Sequence, residues 1–398
     1  MPGPPDPDVA IDLQLAWREG ARALREGRSP EALRLFGQIT GAGQATSAVW
    51  IGVAMAHRTL GETAAERGAL QEALRLDPRD LRALLMTADH YAAAGDARAA
   101  DSYYVAFAKL AEPTGDPTLK AEAARARGMQ AQYAATYETQ LRRQLAGHAL
   151  DQPQGRRMRR ALDLMLGKSE IYLQQPRNFY FPELPNIEYA DRGAFPWLDR
   201  VEAAAGDIRA ELLRVLEEDA AAFSPYVEAE PNRPSFDDKG LIGNPDWSAF
   251  YLWKAGAPVA ENVARCPATM AALAEAPLCR IPGRTPSILF SLLRPGMHIA
   301  PHNGFMNARY ICHLPLIVPE GCAMRVGSQT RSWTEGQACV FDDSIEHEAW
   351  NRNPDHLRVV LIFDVWRPEL TAAEREFVSS VLQAVDAFGA GEPAAALP

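Results

Sequence analysis

No stretch of this 398-residue chain approaches the ~18–20 apolar residues that a bilayer-spanning helix requires. Its start, MPGPPDPDVAIDLQ, has neither the basic segment nor the apolar segment of a secretory signal peptide. No membrane partner is therefore expected, and residues 1–10 read as a disordered lead-in. Cysteine is scarce: Cys266, Cys279, Cys312, Cys322 and Cys339 are an odd set with no CxxC pair. That argues against a disulfide framework and fits free thiols in a reducing cytoplasm. Positive charge is in deficit, with 41 Lys and Arg against 51 Asp and Glu and a net charge of -10. An acidic surface repels phosphate backbones, so no nucleic-acid partner is expected. What remains is ordinary globular composition, 47% hydrophobic and 23% charged. The length suffices for two or more domains with real cores.

The first third repeats itself. Gly27, Gly61 and Gly95 lie 34 residues apart. Gly20, Ala54 and Ala88 follow the same period, as do Phe36, Leu70 and Tyr104. Trp50 pairs with Leu84, His57 with Tyr91, and Pro78 follows the second unit. A period of this kind matches the tetratricopeptide pattern of stacked helical hairpins. Small residues let the two helices of a hairpin cross closely, and each glycine supplies the left-handed residue that ends a first helix. The larger residues of the third column fill the space between neighbours. The competing reading is a plain helical bundle with coincident glycines, which three coincident columns oppose. Such arrays present a groove that takes peptides, or that packs on the rest of the chain.

Residues 11–115 are thus assigned to repeats and 116–175 to a helical linker or cap, with 117–170 rich in good helix formers. Proline and aromatics then arrive together in NFYFPELPNIEYADRGAFPWLDR. From Ser287 onward, SILFSLL, RYICHLPLIV, CAMRV, ACVF and LRVVLIFDVW are short runs separated by turn residues. They predict a double-stranded β-helix, or jelly roll, over 176–390. The fold class is α+β and multidomain. A last helix is expected from Thr371, where Thr-Ala-Ala-Glu can form a capping box with Glu374. Residues 391–398 read as a disordered tail.

Five of the eight histidines fall in the β region: His298, His302, His313, His347 and His356. A mononuclear iron site in a small barrel takes imidazoles from facing strands, usually two histidines and a carboxylate. His302 opens H-N-G rather than H-x-D, His347 follows 45 residues later, and Arg358 lies on the next strand. That order is the one expected of a 2-oxoglutarate site, although a lone histidine near a strand is more often a core or surface group. His298 reads as a strand-end surface residue.

The run PHNGFMNARYICHLPLIVPEGCAMRVGSQTRSWTEGQACVFDDSIEHEAWN resembles the catalytic core of the aspartyl/asparaginyl β-hydroxylases. The shared pattern is P-H-x-G-x-x-N-x-R, H-L, G-C with R-V, W-x-E-G, F-D-D-S and H-E-x-W. The later LRVVLIFDVWRPELT and the earlier YFPELP and FPWL also agree, so the resemblance covers roughly residues 179–371. It implies an iron(II)- and 2-oxoglutarate-dependent oxygenase that uses O2, often behind tetratricopeptide repeats. It implies that glycine is normal at position 304 and that His302 and His347 are the only protein ligands of the metal. Asp342 and Asp343 then organise the loop before His347. It places Arg358 on the far carboxylate of 2-oxoglutarate, whose planar charge an arginine fork matches, with Ser291 and His313 nearby. It makes Arg309 a substrate residue, while a second substrate arginine of the family is replaced by Ile311.

The expected substrate is an amino-acid side chain, in a peptide or protein that the repeat groove could recruit, or in a free amino acid. Ile311 puts an aspartyl substrate in doubt. Two rivals stand beside this reading: a non-catalytic repeat scaffold with a degenerate barrel, and a zinc- or manganese-dependent hydrolase or isomerase.

Overall fold

The computed structural model describes residues 7–152, 155–227 and 240–390. The tail expected at 391–398 lies outside the described residues, as do residues 1–6 of the expected lead-in. The chain forms two compact units, 1–166 and 167–398.

The first unit is helical: α1 (Pro7–Arg25), α2 (Ser29–Gly41), α3 (Ser47–Leu60), α4 (Thr63–Leu76), α5 (Leu81–Ala93), α6 (Ala97–Ala111), α7 (Pro117–Gln144) and α8 (Arg156–Met165). The 34-residue period is the period of the hairpins α1–α2, α3–α4 and α5–α6. Gly27, Gly61 and Gly95 each follow the first helix of a hairpin with φ near +75°. That left-handed backbone is one which glycine adopts without a Cβ penalty. Phe36, Leu70 and Tyr104 are buried on the second helices. At Gly20 the approach is so close that a Cβ would lie 2.7 Å from the Phe36 ring.

Ala54 and Ala88 are wholly buried, so Ala88→Leu must overpack the α5–α6 contact. The expected cost is about 1–3 kcal/mol, read as a lowered midpoint in thermal or urea unfolding. An unchanged midpoint would mean that the repeat register is misread. One expectation needs correction: 117–170 is not one continuous helix. It breaks between Gln144 and Arg156, where Ala149 takes a left-handed φ of 49° and DQPQG carries both proline and glycine.

The second unit holds two antiparallel sheets. Its strands are β1 (Ser224–Pro225), β2 (Trp247–Lys254), β3 (Ala257–Pro258), β4 (Ile288–Leu293), β5 (His298–His302), β6 (Arg309–Ile317), β7 (Cys322–Val326), β8 (Gln329–Arg331), β9 (Cys339–Phe341), β10 (His347–Asn351) and β11 (Arg358–Trp366). The larger sheet runs β1-β2-β4-β11-β6-β9, with β3 on β2, and the smaller runs β5-β10-β7-β8. The helices are α9 (Leu198–Ala203), α10 (Ala205–Glu218), α11 (Ala260–Arg265), α12 (Pro267–Ala272) and α13 (Ala372–Ala390).

The strand period of two sorts the central strands into faces. On β11, Val359, Leu361, Phe363 and Val365 join the core cluster that includes Leu198, Ile208, Leu212 and Val215 of α9 and α10. The alternate residues Val360 and Ile362 pack with Leu289, Ile299, Met324 and Ala349, which come from both sheets. The larger sheet is therefore apolar on both faces, which is why its strands read as near-continuous hydrophobic runs. The inward face is the one that carries the candidate chemistry. α13 starts as expected: Thr371 N donates to Glu374 Oε2 at 2.7 Å, and Glu374 N donates to Thr371 Oγ1 at 3.3 Å.

Candidate functional site

Register brings the dispersed residues together. On the smaller sheet β10 pairs with β5 so that His347 lies opposite His302, with ring centroids 4.1 Å apart. On the larger sheet the same parity that points Val360 and Ile362 inward carries Arg358 and Asp364 of β11, Ser291 of β4, and Arg309, Ile311 and His313 of β6. Val360 pairs with Ser291, Ile362 with His313 and Asp364 with Ile311. All of these inward residues except Val360, together with both paired histidines, line one cavity of about 770 Å³.

The two imidazoles are oriented by backbone. His302 Nδ1 lies 2.8 Å from the Ala300 carbonyl, and His347 Nδ1 lies 3.0 Å from the Ile345 carbonyl. A carbonyl only accepts, so each Nδ1 must carry a proton, and in the neutral ring Nε2 is the nitrogen that bears the lone pair. Burial pushes His347 down to about 4, so it is neutral near pH 7. Two backbone-oriented imidazoles on facing positions suit a borderline metal such as iron(II). Among the described residues no group of three or more His, Cys, Asp and Glu side chains gathers as a metal site.

The position after Asn303 explains the missing carboxylate in local terms. A Cβ at Gly304 would meet the Asp343 carboxylate at less than 3.0 Å. Gly304 N also donates to the Asp343 carbonyl at 2.6 Å. Gly304→Asp is therefore expected to destabilise the protein by about 1–3 kcal/mol through overpacking, and not to tighten iron(II) binding. A variant of unchanged stability with stronger iron binding would contradict this.

Arg358 is 1% exposed. Its Nη1 reaches the Ser291 carbonyl at 3.4 Å, its Nε has no hydrogen-bond partner, and Trp333 lies under its guanidinium at 4.8 Å. Among the described residues no carboxylate is paired with it, and burial pulls its pKa down to about 10. A buried cation without an anion is costly, so the site suits a negatively charged group that no described residue supplies. Ser291 Oγ accepts from Trp247 Nε1 at 3.2 Å, which leaves its own hydroxyl proton able to donate to that group. His313 is buried, with an unpartnered Nδ1, and burial holds its pKa well below the usual range.

Arg309 lines the cavity, but its charge is already answered. Nη2 lies 3.0 Å from Asp343 Oδ2 and Nη1 2.5 Å from Asp364 Oδ1. Asp342 does organise the loop before His347. It accepts from Ser344 N at 3.0 Å and pairs with the fully buried Arg367 at 2.9 Å. Asp343 instead serves as the Arg309 clamp. His298 is exposed and paired with Glu348 at 2.7 Å, a surface residue as read. Four contributors escaped sequence reading: Trp247, Trp333, Asp364 and Arg367. Trp333 sits in the W-x-E-G segment, which was the available signal.

A β domain whose two sheets close on an imidazole pair and an unanswered arginine is the setting in which the comparisons fall. Residues 202–368 match the family model described as Aspartyl/Asparaginyl beta-hydroxylase, the family that the motifs resemble. The chain is 36% identical to the Aspartyl/asparaginyl beta-hydroxylase of Mus musculus over 178 residues, 44% of this chain and 22% of that protein. It is 37% identical to the Ornithine lipid ester-linked acyl 2-hydroxylase of Rhizobium tropici over 196 residues, 48% of this chain and 64% of that protein. The chain thus spans less than two thirds of either relative. Among solved structures, PcrH from Pseudomonas aeruginosa aligns at 19% identity over 33% of this chain and 95% of that one, with a TM-score of 0.29.

Proposed function

We propose that the protein is an iron(II)- and 2-oxoglutarate-dependent oxygenase that hydroxylates an amino-acid side chain, in a peptide or protein. The observation that carries this is Arg358, a buried guanidinium with no carboxylate partner among the described residues, facing the same cavity as two oriented imidazoles. The hydroxylase names of the relatives support the reaction class. The free thiols of all five cysteines fit the cytoplasmic placement that belongs to the same proposal.

His302 and His347 would hold the metal through Nε2, their Nδ1 protons being committed to Ala300 and Ile345. Arg358 would take the far carboxylate of 2-oxoglutarate, with the Ser291 hydroxyl as a further donor. Trp333 holds the guanidinium plane from one side, so the fork has little orientation left to lose on binding. When bound, iron(II) and 2-oxoglutarate together supply the activation of O2, yielding succinate, carbon dioxide and a hydroxylated carbon. The apolar walls from both sheets exclude water from that chemistry.

Titrating 2-oxoglutarate into the protein by calorimetry, with and without iron(II), tests the reading. Binding should be measurable and should tighten with the metal. No binding in either state would overturn it.

A further inference from the structure

We propose that the group hydroxylated in this cavity is an uncharged aliphatic chain, and that the cavity rejects an acidic side chain. This rests on the oxygenase reading above and deepens it to a substrate class.

The argument begins with where positive charge is available. Arg358 and Asp364 lie six residues apart on β11, ~20 Å along the strand, so the arginine kept for the cosubstrate is far from the Arg309 end. At that end Arg309 stands between two carboxylates, at 3.0 Å from Asp343 and 2.5 Å from Asp364. With both aspartates ionised the trio carries one negative charge; with one protonated it is neutral. Neither state offers an incoming carboxylate a cation. Among the described residues, the other cations of the lining do not replace it. Arg284 is paired with Asp386 at 2.6 Å. Arg177 is exposed, so water and salt screen it.

The wall agrees with the charge. Ile311 is 9% exposed and belongs to the interior apolar cluster. It sits between Arg309 and His313 on the inward face of β6, opposite Phe341 of β9 and Asp364 of β11. The same lining carries Val227, Leu241 and Trp247, with Tyr226 stacked on Trp247 at 4.2 Å and an interplanar angle of 9°. A carboxylate entering here loses its water and meets aliphatic carbon beside a cluster that is neutral or negative. An alkyl chain loses nothing by the same move.

The test uses the full-length protein and capped pentapeptides that differ only at the central residue, Leu, Asn or Asp, together with dodecanamide. Dissociation constants are measured by calorimetry, and succinate release is measured alongside. The Leu peptide or dodecanamide should bind at least about tenfold tighter than the Asp peptide. Which of the two does so separates a side chain from a free acyl chain as the source. Ile311→Arg should erase that preference, and Ile311→Leu should keep it. Tightest binding by the Asp or Asn peptide overturns the proposal, as does an unchanged preference in Ile311→Arg. The wild-type ranking decides the matter even if a variant misfolds. Iron(II)-dependent binding of 2-oxoglutarate without any added peptide tests the oxygenase reading by itself. Its absence would sink that reading, while the binding order would still test the character of the cavity.

Discussion

Arg358→Ala should weaken 2-oxoglutarate binding by about 30-fold to several thousand-fold. The range follows from stranding a buried carboxylate without its bidentate partner, a loss of about 2–5 kcal/mol, at tenfold per ~1.4 kcal/mol. The structure favours a large effect because the other buried arginines among the described residues are already engaged: Arg309 is held by Asp343 and Asp364, and Arg367 by Asp342. Arg358→Lys should recover only part of the affinity, since an ammonium cannot reproduce the fork or its stacking on Trp333. Iron(II) binding should survive in both variants, because both imidazoles and the backbone carbonyls that orient them remain. Calorimetry with 2-oxoglutarate decides the point, and unchanged affinity in Arg358→Ala would remove the cosubstrate assignment.

His302→Ala or His347→Ala should abolish iron(II) binding and turnover together. With two protein ligands, losing one leaves a single imidazole, and nothing else in the described cavity is arranged to replace it. Asp343→Ala is the informative control. Asp343 answers Arg309 and fills the space beside Gly304, so its removal should lower stability but leave the metal site in place. An Asp343→Ala protein that folds and yet fails to hold iron(II) would show that the ligand set is wrong.

Much of this site was legible because it is written in registers that sequence preserves. The 34-residue columns named the glycines that turn out to be left-handed helix ends, and the short apolar runs named β4, β6, β7, β9 and β11. Arg358, Ser291 and His313 were named together by the family resemblance, and strand parity puts them on one inward face. The Arg309 clamp was not legible. Its partners lie 34 and 55 residues away in sequence, and only the closure of β6 against β11 and the loop before His347 brings them together. The helices between 198 and 272 were also unread, because they pack as a cover on the outer face of the larger sheet and carry no motif of their own. The interruption after Gln144 was missed because helix propensity outweighed the proline and glycine in DQPQG.

The most direct measurement is succinate release by the purified full-length protein under isotopically labelled O2, with the hydroxylated product analysed by mass spectrometry. Wild-type protein should release succinate only when both iron(II) and 2-oxoglutarate are present, and the product should carry one oxygen atom from O2. His302→Ala, His347→Ala and Arg358→Ala should each fall to background. Succinate release that persists without iron(II), product oxygen that comes from water, or full activity in the histidine variants would contradict the assignment.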